Sequence, residues 1–288
     1  MSTSPVLVTG ASGNVGREVV RALVARGIPV RVTGRAGKAP PDAPPGVESV
    51  PLDFARPETF EPAVRGIRGL FLLRPPAIAD VDSTLNPLVD RAIEAGVEHI
   101  VFLSVMGADR QRWIPHHRVE RHLLSKQVPW TMLRCGFFAQ NLQDAYRQEI
   151  SEKNEIYLPA GRGKVAFVDV RDVAELAAMA FGDVAMRNQA WDLTGPEAIT
   201  FDEVVRLLSD ALGRPIRYAA ASVPGFVWRQ RRLGLPWGMV AVRTVLHVGL
   251  RFGNAERVDP ALGNLLGRRP FSMAEYIRDH VHLWPAAF

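Results

Sequence analysis

The chain has 288 residues, enough for a full doubly wound domain plus a smaller appendage, and its 47% hydrophobic and 23% charged residues strike an ordinary globular balance. A single cysteine, Cys135, excludes an intrachain disulfide and fits a reducing cytoplasm. The net charge of +5 admits an anionic partner, yet the arginines are spread along the chain, only Arg229, Arg231 and Arg232 cluster densely, and no zinc-finger or RNA-binding signature accompanies them, so nucleic acid is not expected.

Met1 to Pro5 lack a basic n-region, and the first apolar run, Val6–Thr9, is too short for a signal-peptide core. In chain order, nearly continuous apolar runs predict strands at Val6–Thr9, Val30–Thr33, Val47–Leu52, Gly69–Leu73, His99–Leu103 and Trp130–Leu133. Between them, helical patterns cover Val15–Ala25, Pro57–Val64, Val81–Ala95 and Pro115–Lys126. Gly27 and Gly96 each close a helix before the next strand. This alternation predicts an α/β fold with a doubly wound parallel sheet and right-handed crossovers. The proline-rich stretch from Pro40 to Pro45 reads as a loop, because strand–helix alternation resumes at once. The second half is less regular: helices are expected at Val170–Phe181, Phe201–Leu212, Ser222–Arg232, Pro236–Phe252 and Ser272–Leu283, with a strand at Gln189–Leu193. The apolar stretch Leu235–Leu250 is interrupted by Arg243 and His247 and falls short of the roughly 20 apolar residues a bilayer span needs, so a cytoplasmic protein without a membrane partner is expected. The domains divide softly near residue 150, into 1–150 and 151–288.

The strongest motif is Gly10-Ala11-Ser12-Gly13-Asn14-Val15-Gly16, GxxGxxG between the first strand and the first helix. Gly10 permits a tight turn, Gly13 lets the backbone approach a pyrophosphate, and Gly16 lets the helix lie close to the sheet. The helix N-terminus then offers N–H groups and a positive dipole end to phosphate. A tight turn without a ligand is the alternative. The second strand ends in Val32-Thr33-Gly34-Arg35, with no acid for a ribose 2′-hydroxyl; Arg35, followed by Lys38, stands where a guanidinium meets the 2′-phosphate of NADP. NADPH is therefore the expected cofactor. Asp53 either bonds the adenine amino group or caps the next turn.

Together these residues resemble the NmrA-like branch of the atypical short-chain dehydrogenases/reductases. The resemblance runs on through Val101-Phe102-Leu103-Ser104, Pro129 to Arg134, Gly136-Phe137-Phe138 with Asn141, Phe167 to Ala174, Leu193 to Glu197 and the Phe271-to-Asp279 tail. It implies a Rossmann-type domain with a small, mainly helical C-terminal substrate-side domain, and a segment near 188–195 that returns to the sheet. It also implies a reductase of quinones, azo dyes or other small conjugated molecules, or else a redox sensor that binds the dinucleotide without turnover. By that resemblance Leu73, Arg74 and Pro75, then Ser104, Val105 and Met106, lie over the cofactor, and Cys135 to Phe138 border the nicotinamide. Plain core packing is the alternative for Phe137 and Phe138.

No tyrosine is followed four residues later by lysine, so the Tyr-x-x-x-Lys pair of classical short-chain dehydrogenases is absent, and Ser104 is followed by Val105 where extended members carry a catalytic hydroxyl. His116, Val119, Glu120 and Leu123 share one helix face. A carboxylate at i+4 would raise the pKa of His116 and make it a proton donor; a buried histidine with a structural hydrogen bond is the alternative. No Cys/His spacing fits a metal. Met106, His117, Phe138, Asn141, Trp228 and Trp237 are the candidate substrate contacts, and the aromatics among them suit an apolar small molecule. The leading expectation is NADPH-dependent reduction of a small apolar conjugated or carbonyl- or imine-bearing compound. The alternative is a non-catalytic NADP(H)-sensing protein. A homo-oligomer is left open.

Overall fold

The computed structural model describes residues 4–34 and 37–285. Its first part alternates β1 (Val6–Val8), α1 (Asn14–Ala25), β2 (Val30–Gly34), β3 (Glu48–Pro51), α2 (Phe60–Val64), β4 (Gly69–Leu73), α3 (Leu85–Glu94), β5 (His99–Val105), α4 (Pro115–Leu124) and β6 (Trp130–Cys135). Then come α5 (Asn141–Asp144), α6 (Arg147–Lys153), β7 (Glu155–Leu158), β8 (Lys164–Val165), α7 (Val170–Ala180), β9 (Gln189–Leu193), β10 (Ile199–Thr200), α8 (Phe201–Leu212) and β11 (Arg217–Ala220). Four helices finish the chain: α9 (Val223–Arg232), α10 (Trp237–Leu250), α11 (Ala261–Leu266) and α12 (Met273–Asp279).

The main sheet has the order β3-β2-β1-β4-β5-β6-β9, and every pairing in it is parallel. The order 3-2-1-4-5-6 is that of the Rossmann fold. Its central strands are apolar on both faces because helices cover both: Leu70, Phe71 and Leu72 of β4 are all fully buried. Helix α1 turns Val19, Val20 and Leu23 inward, and it packs against α7, which comes from the second half of the sequence. Gly27 and Gly96 hold left-handed backbone (φ 68° and 85°) just past α1 and α3.

Several boundaries differ from the sequence expectation. Helix α3 begins at Leu85, not Val81, because Asp80 draws the preceding residues into a turn by accepting from the Ser83 hydroxyl at 2.6 Å. Pro57–Thr59 is a 3-10 turn leading into α2, and the tail helix stops at Asp279, with only a 3-10 turn over Val281–Leu283. The pairs β7–β11 (parallel) and β8–β10 (antiparallel) were not foreseen. Each strand has four residues or fewer, too few for a period to declare itself.

By internal contacts the chain divides into two units. One comprises the chain through Cys135 together with Val170–Leu193 and Asn264–Gly267; the other comprises Gly136–Asp169, Thr194–Gly263 and the chain from Arg268 on. The first departure is therefore at the end of β6, not near residue 150. It falls there because α5, α6 and β7 pack into the second unit's core around Leu142, Ile150 and Phe201. That unit is mainly helical, with two small two-stranded sheets. Among the described residues no helix is long and apolar enough to cross a membrane, and no group of His, Cys, Asp or Glu is arranged to hold a metal.

Candidate cofactor and substrate site

In a parallel sheet all strand C-termini lie at one edge, and the loops there build the ligand site. Here β1 passes into Gly10, whose left-handed backbone (φ 67°) makes the turn into α1. Thr9 fastens that turn to β4: its hydroxyl donates to the Phe71 carbonyl at 3.1 Å and accepts from the Leu73 N–H at 2.8 Å. The three glycines have distinct surroundings. A Cβ on Gly16 would stand 2.2 Å from the Gly10 carbonyl oxygen, so only glycine lets the helix sit there. A Cβ on Gly10 would meet the Leu73 side chain at 3.1 Å. A Cβ on Gly13 would meet nothing closer than 3.4 Å, so this side of the loop is open. Ser12 and Gly13 are exposed and Asn14 is half-buried, whereas the Val15 side chain is buried and leaves only its backbone to face a phosphate. Gly13 is also the N-cap of α1, so no side chain occupies the helix end.

Beyond β2, Lys38 is exposed; Arg35 lies outside the described residues. A small surface cleft opens between Ala11, Val32, α1 and Pro40–Pro44, walled by Arg17 and Arg21, and Asp42 pairs with both at 3.0 and 3.2 Å. This arginine pair, one turn apart on α1, was missed; the i, i+4 spacing was its only signal. Asp53 takes the capping alternative: its carboxylate accepts from the Ala55 N–H at 3.0 Å.

At the ends of β4, β5 and β6 the structure gathers Leu73, Arg74, Pro75, Ser104, Val105, Met106 and Cys135 into one unit. The Met106 N–H donates to the Cys135 carbonyl at 3.0 Å, tying two of these strand ends together. Cys135 is buried, which pushes its thiol pKa up and keeps it protonated. Beneath lies a buried polar network. The Ser104 hydroxyl donates to Glu120 Oε1 at 2.5 Å, and Arg134 grips the same carboxylate through Nε (3.0 Å) and Nη2 (2.7 Å). Asp109 sits 3.6 Å from Arg134 Nη1.

This network corrects the expected role of Glu120. Its carboxylate is engaged by Ser104 and Arg134 and does not orient His116. The neighbour of His116 is a cation instead: Arg74 Nε donates to His116 Nε2 at 3.3 Å. Burial, and then the Arg74 charge, push the His116 pKa down to about 3, so its imidazole is neutral and its proton sits on Nδ1. His116 does point inward as its helix phase implied, with its ring 5.9 Å from that of Phe102. Arg74 Nη1 donates to the Pro75, Pro76 and Ile78 carbonyls, which shapes the loop after β4. His117 is half-buried, and its Nδ1 lies 2.7 Å from the Ala108 carbonyl.

The remaining candidates belong to the second unit. Phe137 packs edge-on to Phe167 (5.7 Å between centroids) and to His247 (6.1 Å), so its ring takes the core alternative. Phe138 bridges Val168, and Asn141 opens α5. Trp228 and Trp237 are 62% and 65% exposed, each beneath a guanidinium: Arg232 at 4.7 Å and Arg231 at 4.7 Å.

Residues 2–257 match the model of the NmrA-like family. The NAD(P)H azoreductase of Xenophilus azovorans is 32% identical over 98% of this chain and 100% of its own length. Quinone oxidoreductase 2 of Escherichia coli (strain K12) is 24% identical over 94% of this chain and 97% of its own. Among solved structures, the triphenylmethane reductase of Citrobacter sp. superposes with a TM-score of 0.83 at 23% identity, covering 96% of this chain and 99% of that one.

Proposed function

The chain belongs to the NmrA-like family, and on that premise we propose that it is an NAD(P)H-dependent oxidoreductase, a reductase that uses NADPH against a small apolar conjugated or carbonyl- or imine-bearing compound. The observation that carries the reading is the asymmetry of the glycine loop. The space beside Gly16 is closed by backbone, while that beside Gly13 is open at an uncapped helix N-terminus, the place for a pyrophosphate. The names of the aligned relatives, an NAD(P)H azoreductase and a quinone oxidoreductase, support the same chemistry.

In this reading Gly10, Ser12, Gly13, Asn14 and the Val15 backbone hold the pyrophosphate, and Arg35 and Lys38 meet the 2′-phosphate. Leu73, Arg74, Pro75, Ser104 and Val105 wall the nicotinamide end, with Met106 and His117 towards the substrate. The cofactor supplies a hydride when bound. The residues of this chain supply orientation and dryness. Thr9 and the Ser104–Glu120–Arg134 network fix the strand ends, and Arg74 fixes both its own loop and the tautomer of His116. A neutral His116 with a pKa of about 3 is no source of a proton near neutral pH, so the proton that completes reduction comes from water.

Calorimetry with NADPH and NADH is the test. NADPH binds more tightly, and Arg35→Ala erases that preference by about 1–3 kcal/mol. Equal affinities in the unmodified protein overturn the assignment of Arg35. NADPH consumption with a panel of quinones, imines and enones then separates reductase from sensor: tight binding without consumption favours sensing.

A further inference from the structure

Helix α10 is apolar on both of its faces. Val240, His247 and Leu250 are buried in the second unit, while Met239, Val242, Val245 and Leu246 point outward, 47–62% exposed. A surface helix ordinarily carries charge on its outer face, and this one carries none there. The exposure is concentrated: of the thirteen large apolar side chains exposed among the described residues, eight lie between Trp228 and Phe252.

Charge is concentrated in the same place. Between Asp210 and Glu256 the sequence has no carboxylate and seven arginines: Arg214, Arg217, Arg229, Arg231, Arg232, Arg243 and Arg251. The rest of the chain has 35 − 7 = 28 basic against 30 acidic residues, so the whole positive excess resides in this stretch. Part of it rims the apolar ridge. Arg231 and Arg232 stack on the exposed rings of Trp237 and Trp228, and exposed Arg251 adjoins Phe252, which is 78% exposed, past the other end of α10. The ridge between them spans the 14 residues of α10, about 21 Å at 1.5 Å per residue.

We propose that the outer face of the α9–α10 hairpin docks on the surface of an anionic phospholipid bilayer. Trp237, Val242, Val245 and Leu246 enter the boundary between headgroups and acyl chains, and Arg231, Arg232 and Arg251 meet lipid phosphates. The helix lies in the interface and does not span, consistent with its length; the expectation that nothing crosses the bilayer is kept, whereas this docking reverses the expectation of no membrane partner. A second copy of the chain is the poorer occupant. It would set the same arginines against each other with no acid in the stretch to neutralise them, whereas an anionic leaflet supplies both an apolar phase and negative charge. This inference is independent of the substrate proposed above.

The test is cosedimentation of the full chain with vesicles of phosphatidylcholine alone and of phosphatidylcholine mixed with phosphatidylglycerol. Three arginines at the surface should favour the anionic vesicles by on the order of a hundredfold, less at high salt. Val242→Glu with Val245→Glu abolishes binding to both, and Arg231→Glu with Arg232→Glu removes the preference for phosphatidylglycerol. Val242, Val245 and Arg232 are exposed, while Arg231 is half-buried and donates to the Leu235 carbonyl, so NADPH affinity and thermal unfolding together are the control that each variant is folded. Failure to bind anionic vesicles, or binding indifferent to these variants, overturns the proposal. So does a lipid-free dimer that Val245→Glu disperses, since the face would then join copies of the chain.

Discussion

Lowering the pH from about 7 to about 5 should destabilise the fold through its buried imidazoles. His99, 3% exposed with its Nε2 2.9 Å from the Thr131 hydroxyl, is pushed down to about 4, mainly by burial and then by the Arg187 charge. His116, 9% exposed, is pushed down to about 3 by burial and then by Arg74. Both return to an ordinary value of 6.5 when the chain unfolds. Between these limits the unfolded state binds protons that the folded state refuses, so stability is present above the unfolded pKa and is lost as pH falls. At pH 5 each histidine has forgone about 1.5 pK units, or about 2 kcal/mol, and the two together about 4 kcal/mol. His247, also held down by burial, adds to the loss. Glu149, whose carboxyl is raised by burial, works in the opposite sense and returns part of it. Urea unfolding across this range measures the total. His116→Asn, a neutral replacement, costs stability at pH 7 but should shrink the pH-dependent part by about 2 kcal/mol, and His99→Asn should do the same. An unchanged pH-dependent loss in both variants, or imidazole resonances in the unmodified protein titrating near 6, would refute the neutral, buried assignment and reopen His116 as a proton donor.

Gly13→Val should leave thermal unfolding nearly unchanged while abolishing NADPH binding, whereas Gly16→Ala, whose Cβ meets the Gly10 oxygen at 2.2 Å, should lose both binding and stability; equal behaviour of the two would contradict the open and closed sides of the loop. Glu120→Ala should cost about 3 kcal/mol, the low end for breaking a buried ion pair because Asp109 still faces Arg134, and so lower Tm by roughly 5 °C. Glu120→Gln, which keeps an acceptor for Ser104, should cost less, and a loss below about 1 kcal/mol for Glu120→Ala would show that the network is not a support.

The parallel sheet was legible in sequence because its strands are buried on both faces and read as apolar runs; β4 and β9 have the bounds their sequences suggested. Helix α8 was equally plain, and a capping box between Thr200 and Glu203 starts it where its apolar period begins. Partners distant in sequence were not legible. Glu120 sits four residues from His116, and nothing local reveals that Arg134, from the next strand, takes the carboxylate first. The period that correctly turned His116 inward could not show that a cation waited there. Helix α10 was legible as a helix too short to span a bilayer, but only the fold shows which of its apolar side chains, Val242, Val245 and Leu246 among them, face out.

The chain's path between its two units bears on how such a protein can diversify. It crosses after Cys135, after Asp169, after Leu193, after Gly263 and after Gly267. A single genetic crossover therefore cannot exchange one unit whole: a cut at Cys135 would carry away β9 and α7, stripping an edge of the sheet and the cover of α1. New specificities on this scaffold must accumulate by substitution within segments that are threaded through the cofactor unit, and a chimera should place its junctions at several crossings at once.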